Sequence, residues 1–147
     1  MENYLIDTNV LIYAINQDSE FYLASNKLLE KALNSDLNYY TSINNLLEFY
    51  AISTDKKRTQ NPLSPTQAQE VISIISESQI NILNTDIQSL NLAIQLAVDN
   101  QQSKQIIFDY LIASIMINNN ITNIISYNTK DFKNIKQIRI LKPDEVE

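Results

Sequence analysis

The sequence predicts a three-layer α/β/α domain in which helices cover both faces of a central parallel sheet. Short apolar runs of strand length alternate with longer segments whose apolar residues recur at helical spacing. Parallel neighbours need a crossover connection, usually a helix, so this alternation is typical of a parallel sheet. The apolar runs lie at residues 4–6, 39–41, 80–83, 123–126 and 138–141.

The composition is that of a single globular domain. Of the 147 residues, 44% are hydrophobic and 19% are charged, whereas disordered chains combine low hydrophobicity with high charge. No internal repeat and no linker divides the sequence. One domain is therefore expected over residues 1–147.

Helices are expected between the strands, with polar residues placed to cap them. Ser19 and Ser42 stand just before segments of helical period, and Thr85 is placed to cap the helix after the third strand. Residues 64–67 have the pattern of a capping box with proline at the first helical position. The polar residues 53–65 are expected to form an exposed loop. The predicted helices cover residues 8–16, 19–34, 43–52, 65–78, a segment that begins at 85, and 106–117.

Four residue types, tryptophan among them, are missing from the sequence, and the absence of the other three excludes several classes of enzyme. The chain contains no cysteine, no histidine and no glycine. It therefore has no disulfide, no metal held by Cys or His, and no Ser-His-Asp triad. Glycine-rich phosphate-binding loops are excluded as well. An enzyme with this composition must use carboxylates, lysine, tyrosine or hydroxyl groups.

The charge balance is acidic, with 11 basic and 17 acidic residues and a formal net charge of −6. This balance argues against coating nucleic acid by bulk attraction, but a local basic rim would still allow a nucleic-acid enzyme. No apolar run approaches the length that spans a bilayer, and the N-terminal segment lacks the features of a signal peptide. A cytoplasmic protein without a membrane segment is expected.

Polar side chains follow two of the predicted strands at their carboxyl ends, where sites in parallel sheets usually lie. Asp7 follows the first strand, and Thr8 and Asn9 come directly after it. Asn128 and Asp131 follow the fourth strand. Helix capping and turn formation explain each of these residues without a functional role, so both interpretations stay open.

Two further carboxylates lie on predicted helices. Glu48 belongs to the polar face of an amphipathic helix, which explains it completely when it is taken alone. Asp109 lies in a segment that is apolar almost all round, and a buried carboxylate is costly unless it is paired or bound to a cation. Carboxylates gathered at one pole of the sheet would repel one another. Mg²⁺ or Mn²⁺ would relieve that repulsion and suits an all-oxygen site.

Four short motifs contain these residues: LIDTNVL at 5–11, NLLE at 45–48, FDYLIA at 108–113 and ISYNTKDF at 125–132. In this order and spacing they resemble PIN domains, and specifically the VapC-type ribonuclease toxins of bacterial toxin–antitoxin pairs. The resemblance extends from residue 3 to about residue 143. It implies a PIN-like α/β/α fold with an RNA phosphodiesterase site that depends on Mg²⁺ or Mn²⁺.

The resemblance also implies which residues bind the metal and carry the catalysis. Asp7, Glu48 and Asp109 match the acidic core of the family. The fourth position varies among PIN domains, and Asp131 or Asn128 fills it here. The proposed chemistry is metal-assisted hydrolysis, with Asp7 and Asp109 on the metal directly and the other residues bound through water.

Further residues are expected to support this site. Thr8, Asn9 and Asn128 are candidate supporting residues, and Ser42 loosely matches the polar residue near the end of the second strand in the family. A basic group could neutralise the RNA backbone, although plain solubility explains it equally well. The candidate RNA contacts are Lys56, Lys57, Arg58, Lys130 and Lys133.

The resemblance implies partners, and two other functions remain alternatives. The implied partners are an RNA substrate, an antitoxin protein and a second copy of the chain. One alternative is phosphoryl transfer through an aspartyl phosphate, although Asn9 stands where a haloacid-dehalogenase-like site needs a second Asp. The other is a non-catalytic RNA- or protein-binding PIN-like domain, against which the joint presence of Asp7, Glu48 and Asp109 argues.

Overall fold

The computed structural model describes residues 2–36 and 38–147. The strands are β1 (Asn3–Ile6), β2 (Asn38–Ser42), β3 (Asn81–Leu83), β4 (Asn123–Ile125) and β5 (Arg139–Leu141). They form one parallel sheet in the order β3-β2-β1-β4-β5. β1 is central, so its carboxyl end lies at the middle of the sheet.

The described residues form seven α-helices and two short 3₁₀ turns, at Lys104–Ile106 and Pro143–Glu145. Two of the predicted caps are confirmed. The Ser42 hydroxyl accepts from a backbone N–H in the next helix, and Ser64 forms the predicted capping box. The helices are α1 (Thr8–Tyr13), α2 (Tyr22–Asn34), α3 (Ile43–Ser53), α4 (Pro65–Ser76), α5 (Ile87–Asp99), α6 (Ile107–Asn118) and α7 (Thr129–Phe132).

The sheet separates two apolar cores. Successive side chains of a strand point to opposite faces, so Tyr4 and Ile6 of β1 pack into one core and Leu5 packs into the other. Residues of α1, α2, α3 and α4 complete the first core, and residues of α5, α6 and α7 complete the second. The predicted three-layer α/β/α fold with a central parallel sheet is therefore confirmed.

Two predicted helix caps were wrong. Ser19 lies in a turn ahead of α2, where its hydroxyl accepts a backbone N–H of that turn, and no side chain caps the helix. The cap of α5 is Asp86, whose carboxylate accepts from the backbone N–H of Ser89 at 2.8 Å. The hydroxyl of Thr85 donates instead to Asn44 on α3. Neighbouring polar residues compete for the capping position, and tertiary contacts decide between them.

Two further differences concern the length and number of helices. α1 ends at Tyr13, three residues earlier than the predicted end at residue 16. The segment after β4, predicted as a loop, contains the short helix α7, which carries Asp131. Within the described ranges, no helix is long and apolar enough to cross a membrane.

Candidate active site

The carboxyl ends of β1 and β4 lie side by side and carry the first residues of the candidate site. Ile6 pairs with Ile125 in the parallel ladder, and the backbone N–H of Asp7 donates to the carbonyl of Ile125 at 3.0 Å. Asp7 and Ser126 therefore leave the sheet at the same level, where α1 begins.

Asp7 is buried, with 7% of its surface exposed, and both of its carboxylate oxygens accept hydrogen bonds. Oδ1 accepts from the backbone N–H of Thr8 at 2.8 Å, which caps α1. Oδ2 accepts from the hydroxyl of Ser126 at 2.7 Å. From the sequence, a helix cap and a functional role were alternative interpretations of Asp7. Asp7 caps α1 and also belongs to a polar cluster, because α1 begins directly at the end of the central strand.

Asn45 belongs to this cluster, although the sequence patterns did not single it out. Its amide Nδ2 donates to the Thr8 hydroxyl at 3.0 Å and to Oδ1 of Asp7 at 3.3 Å. Ser42 orients that amide, because its hydroxyl donates to Oδ1 of Asn45 at 2.6 Å. A signal was available, since Asn45 lies in the first turn of a helix that begins at the carboxyl end of a parallel strand.

Ser126 is the second residue of the cluster that the sequence did not indicate. Its hydroxyl donates to Asp7, while its oxygen accepts from Nδ2 of Asn9 at 3.1 Å and from the backbone N–H of Asn128 at 2.9 Å. Oδ1 of Asn9 accepts from the backbone N–H of Tyr127 at 3.2 Å. These bonds direct the hydroxyl proton of Ser126 at Asp7.

Asp109 and Asp131 form a carboxyl pair beside this network. Asp109 lies in the first turn of α6 and is half-buried, so it is less buried than its apolar neighbours suggested. Beyond the effect of burial, the Asp131 carboxyl group lies close enough to raise the pKa of Asp109 through its charge. Asp131 also accepts from Nδ2 of Asn128 at 2.7 Å. Asp131 thus lies beside Asp109, and the amide of Asn128 orients Asp131.

A cleft of about 210 Å³ joins these residues to α3. Asp7, Glu48 and Asp109 all line it, and α3 and α6 supply most of the other lining residues. Glu48 is exposed on α3. Leu47 and Phe108, each directly before one of these acidic residues in the sequence, also line the cleft. The carboxyl groups predicted from four separate elements are therefore neighbours in the fold.

Burial and the charges of neighbouring carboxylates raise the pKa values of Asp7 and Asp109. Burial is the main cause that raises the pKa of Asp7 to about 6, the charge of Glu48 adds to it, and the hydrogen bond from Ser126 opposes it. The pKa of Asp109 rises to about 7, first through burial and then through the charges of Asp131, Asp7 and Glu48. Together, the carboxyl groups around Asp7 and Asp109 therefore carry more negative charge at neutral pH than their surroundings favour.

This repulsion predicts that the metal-free protein loses stability as the pH rises. An ordinary aspartate titrates at 3.8, whereas the folded-state pKa is about 6 for Asp7 and about 7 for Asp109. Between these values the folded state binds more protons than the unfolded state, so the free energy of unfolding falls with rising pH. Urea unfolding in EDTA at several pH values measures the slope.

The variant Asp109→Asn isolates the contribution of Asp109 to this slope. It is expected to lose less stability than the wild type between pH 4 and pH 7, because the amide has no proton to release. Identical slopes in the two proteins would contradict the raised pKa of Asp109.

The donor set of the cleft is entirely oxygen and suits a hard divalent cation. Over residues 2–36 and 38–147, no three acidic side chains stand close enough together to hold a metal ion by themselves. Mg²⁺ does not require such a cage, because it keeps several waters and is usually bound by one or two carboxylates and by substrate phosphates. The charge and the donor type of the cleft therefore fit such an ion.

The two groups of basic candidates lie in different places. Lys130 belongs to α7 and Lys133 follows its last residue, so both are close in sequence to Asp131. Residues 56–58 lie beyond the C-terminal end of α3, and that end is about 12 Å from Asn45 at 1.5 Å per helical residue. All five basic residues are exposed, and none of them lines the cleft.

The fold and the site together define a class of protein. It is a parallel α/β/α domain with carboxyl groups gathered at the end of its central strands. The family model of the PIN domain matches residues 4–138. The chain therefore belongs to the PIN domain family. No curated protein matches this chain significantly in sequence.

Several solved structures share the fold. The chain is similar to VapC20 of Mycobacterium tuberculosis, a sarcin–ricin loop cleaving toxin, with a TM-score of 0.70 and 12% identity over 89% of this chain and 94% of that chain. For VapBC2 of Rickettsia felis, bound to a promoter DNA fragment, the TM-score is 0.64 and the identity is 24%, over 95% of this chain and 97% of that chain. For a toxin–antitoxin complex from Klebsiella pneumoniae, the TM-score is 0.64 and the identity is 20%, over 98% of this chain and 100% of that chain.

Proposed function

We propose that this protein is a cytoplasmic, metal-dependent endoribonuclease and the toxin of a type II toxin–antitoxin pair. The observation that carries the proposal is that Asp7, Glu48 and Asp109 line one cleft of a PIN domain, with the charge of Asp131 close to Asp109. The structural neighbours add support, since they include a toxin described as cleaving the sarcin–ricin loop and toxin–antitoxin complexes.

Mg²⁺ or Mn²⁺ is the proposed cofactor. Asp7 and Asp109 would bind it directly, because both line the cleft and the charges of neighbouring carboxylates contribute to the raised pKa of each. Glu48 and Asp131 would bind it through water. When bound, the ion supplies polarisation of a phosphoryl oxygen and a water of lowered pKa, which provides a nucleophile in a chain without histidine.

The residues around the acidic group have distinct roles in this proposal. Ser126, Asn45 and the N-terminus of α1 hold the Asp7 carboxylate in one orientation through the hydrogen bonds described above. The pKa of Asp109 is raised to about 7 in the metal-free protein, so this carboxyl group still binds a proton over part of the neutral pH range. Cation binding would displace that proton, so the affinity for metal depends on pH.

The experiment that tests the proposed function is cleavage of single-stranded RNA by the purified chain with Mn²⁺ or Mg²⁺, with EDTA as the metal-free control. Glu70→Gln is the matched control for acidic variants, because Glu70 is exposed on α4 and does not line the cleft. Cleavage that needs both the metal and the cleft carboxylates would support a nuclease. RNA binding without cleavage would favour the non-catalytic RNA- or protein-binding alternative.

Lys130 and Lys133 are the proposed phosphate contacts, since both are close in sequence to Asp131. Replacing both by Gln should weaken RNA binding uniformly across sequences. It should also reduce the slope of log K against log salt by about 1.4, at about 0.7 for each phosphate contact with a single strand. Filter binding at several salt concentrations measures the slope. The Lys56→Gln, Lys57→Gln, Arg58→Gln triple variant is the comparison, and a larger loss of slope in that triple would assign the contacts to the loop instead.

The proposed protein partners are an antitoxin and a second copy of the chain. Two structural neighbours were solved as toxin–antitoxin complexes, which supports the first. For the homodimer, the candidate surface is an exposed apolar stripe on α5, since residues three and four apart share one face of a helix. The stripe consists of Ile87, Leu90, Ile94 and Val98.

A further inference from the structure

Phe108 is exposed in a way that the other phenylalanines are not. All four phenylalanines of the chain lie within the described residues. Phe49 and Phe132 are fully buried and Phe21 is half-buried, whereas 60% of the surface of Phe108 is exposed. Exposing a phenyl ring forgoes the stabilisation that its burial would contribute, so the packing of the domain does not account for this position.

Leu47 is exposed on the other wall of the same cleft. It lies on α3 with 66% of its surface exposed, while Phe108 lies on α6, and both line the cleft that contains Asp7, Glu48 and Asp109. Two exposed apolar side chains therefore stand among the carboxyl groups, one from each wall. Each directly precedes an acidic residue of the cleft in the sequence, so Leu47 and Glu48 belong to one helical turn and Phe108 and Asp109 to another.

We infer that Phe108, with Leu47 on the opposite wall, forms a subsite that binds an unpaired nucleobase of the RNA by stacking on the phenyl ring. The inference rests on the proposed function, in which a phosphate binds at the carboxyl groups through a cation. A nucleotide carries its base and its phosphate on one ribose, so a phosphate held there brings a base within reach of the neighbouring side chains. Stacking on an aromatic ring accepts any base, because every base has a π-face.

The size and charge of the cleft favour a nucleobase over an apolar segment of a protein. Its volume of about 210 Å³ is below the range of about 300–1,000 Å³ typical of pockets for drug-sized ligands, and it is too small for a helix. Apolar side chains inserted here would also be buried against carboxyl groups without neutralising them. A base is flat and uncharged, and its own phosphate brings the cation that these carboxyl groups favour.

The test measures equilibrium binding with Mn²⁺ in a Glu48→Gln background, which keeps Asp7 and Asp109, the two carboxylates proposed to bind the ion directly, and is expected to prevent cleavage of the probes. The probes are a fluorescently labelled 12-nucleotide oligoadenylate and a ribose-phosphate oligomer of the same length without bases, followed by anisotropy. Adding Phe108→Ala should weaken the binding of oligoadenylate by about 5- to 150-fold, which is the equivalent of about 1–3 kcal/mol for one stacked base. Binding of the abasic oligomer should stay within twofold.

Two further variants separate stacking from a general apolar or folding effect. Phe108→Tyr keeps an aromatic ring and should retain the affinity for oligoadenylate, whereas Phe108→Leu keeps an apolar side chain without a ring and should lose it. Ile74→Ala is the matched control, because Ile74 is 57% exposed on α4 and does not line the cleft. Thermal melts confirm that each variant is folded.

The possible results distinguish this inference from the proposed function. Unchanged oligoadenylate binding by Phe108→Ala, or an equal loss for both probes, overturns the nucleobase subsite even if the wild-type protein cleaves RNA. An unchanged affinity would leave a protein partner as the occupant of the cleft. A base-dependent loss in a protein that never cleaves RNA supports the subsite while the nuclease proposal fails.

Discussion

Asp109→Asn is expected to lower kcat/KM for metal-dependent RNA cleavage at least about a hundredfold while leaving the metal-free protein no less stable than the wild type. The substitution removes one of the two carboxylates proposed to bind the ion. A bound metal ion stabilises transition-state charge by several kcal/mol, so losing it lowers the rate by at least about a hundredfold. The substitution also removes a group whose pKa is raised by burial and by the charges of Asp131, Asp7 and Glu48. Losing a repelled charge should not destabilise the fold.

Steady-state cleavage in Mn²⁺ and melting in EDTA test the two halves of this prediction separately. The comparison is with the wild type and with Glu70→Gln, which loses one negative charge on the exposed surface of α4. Cleavage by Asp109→Asn within a few fold of the wild type would contradict the proposed role of Asp109. A clearly lower melting temperature in EDTA would mean that the carboxyl pair with Asp131 stabilises the domain.

Mn²⁺ at a hundredfold excess over its dissociation constant is expected to stabilise the wild-type protein by about 2.7 kcal/mol, because only the folded chain brings the carboxylates together. Asp7→Asn and Asp109→Asn should each lose most of this gain. The cation competes with the protons that these carboxyl groups bind, because the pKa of Asp7 is raised to about 6 and that of Asp109 to about 7. The gain at a fixed Mn²⁺ concentration should therefore be larger at pH 8 than at pH 6.

Melts across a Mn²⁺ titration at both pH values measure this effect. Each variant is compared with its own melt in EDTA, because Asp7→Asn also disturbs the hydrogen bonds that join Asp7 to Ser126 and Thr8. Equal metal-induced gains in the wild type and in both variants would mean that these carboxylates do not form a metal site. The nuclease mechanism proposed above would then have to be abandoned.

Much of the fold could be predicted because its signals are local. The short apolar runs are the strands of the sheet, and the caps at Ser42 and Ser64 are confirmed, because a strand run and a capping box each occupy only a few consecutive residues. The caps proposed at Ser19 and Thr85 were wrong because contacts outside the capping pattern decide which group each hydroxyl binds. Each has polar alternatives or distant partners, and Thr85 donates to Asn44, which is 41 residues away.

The acidic residues could be proposed from short motifs, but their surroundings could not. Asp7, Glu48, Asp109 and Asp131 each stand in a recognisable stretch of sequence. Asn45 and Ser126 look like ordinary polar residues, and they contact Asp7 across 38 and 119 residues of chain. Such contacts depend on the pairing of β1 with β2 and β4, which no local pattern specifies.

By itself the sequence determined the α/β class, the all-oxygen donor chemistry and the exclusion of thiol, imidazole and glycine-loop mechanisms, because period and composition are properties of the chain alone. Only the tertiary structure decided how the polar groups meet. The pKa of Asp109 rises because Asp131, Asp7 and Glu48 approach it from three other elements. Phe108 is exposed, although nearly all of its neighbours in the sequence are apolar, because burial depends on what packs against a helix and not on the helix itself.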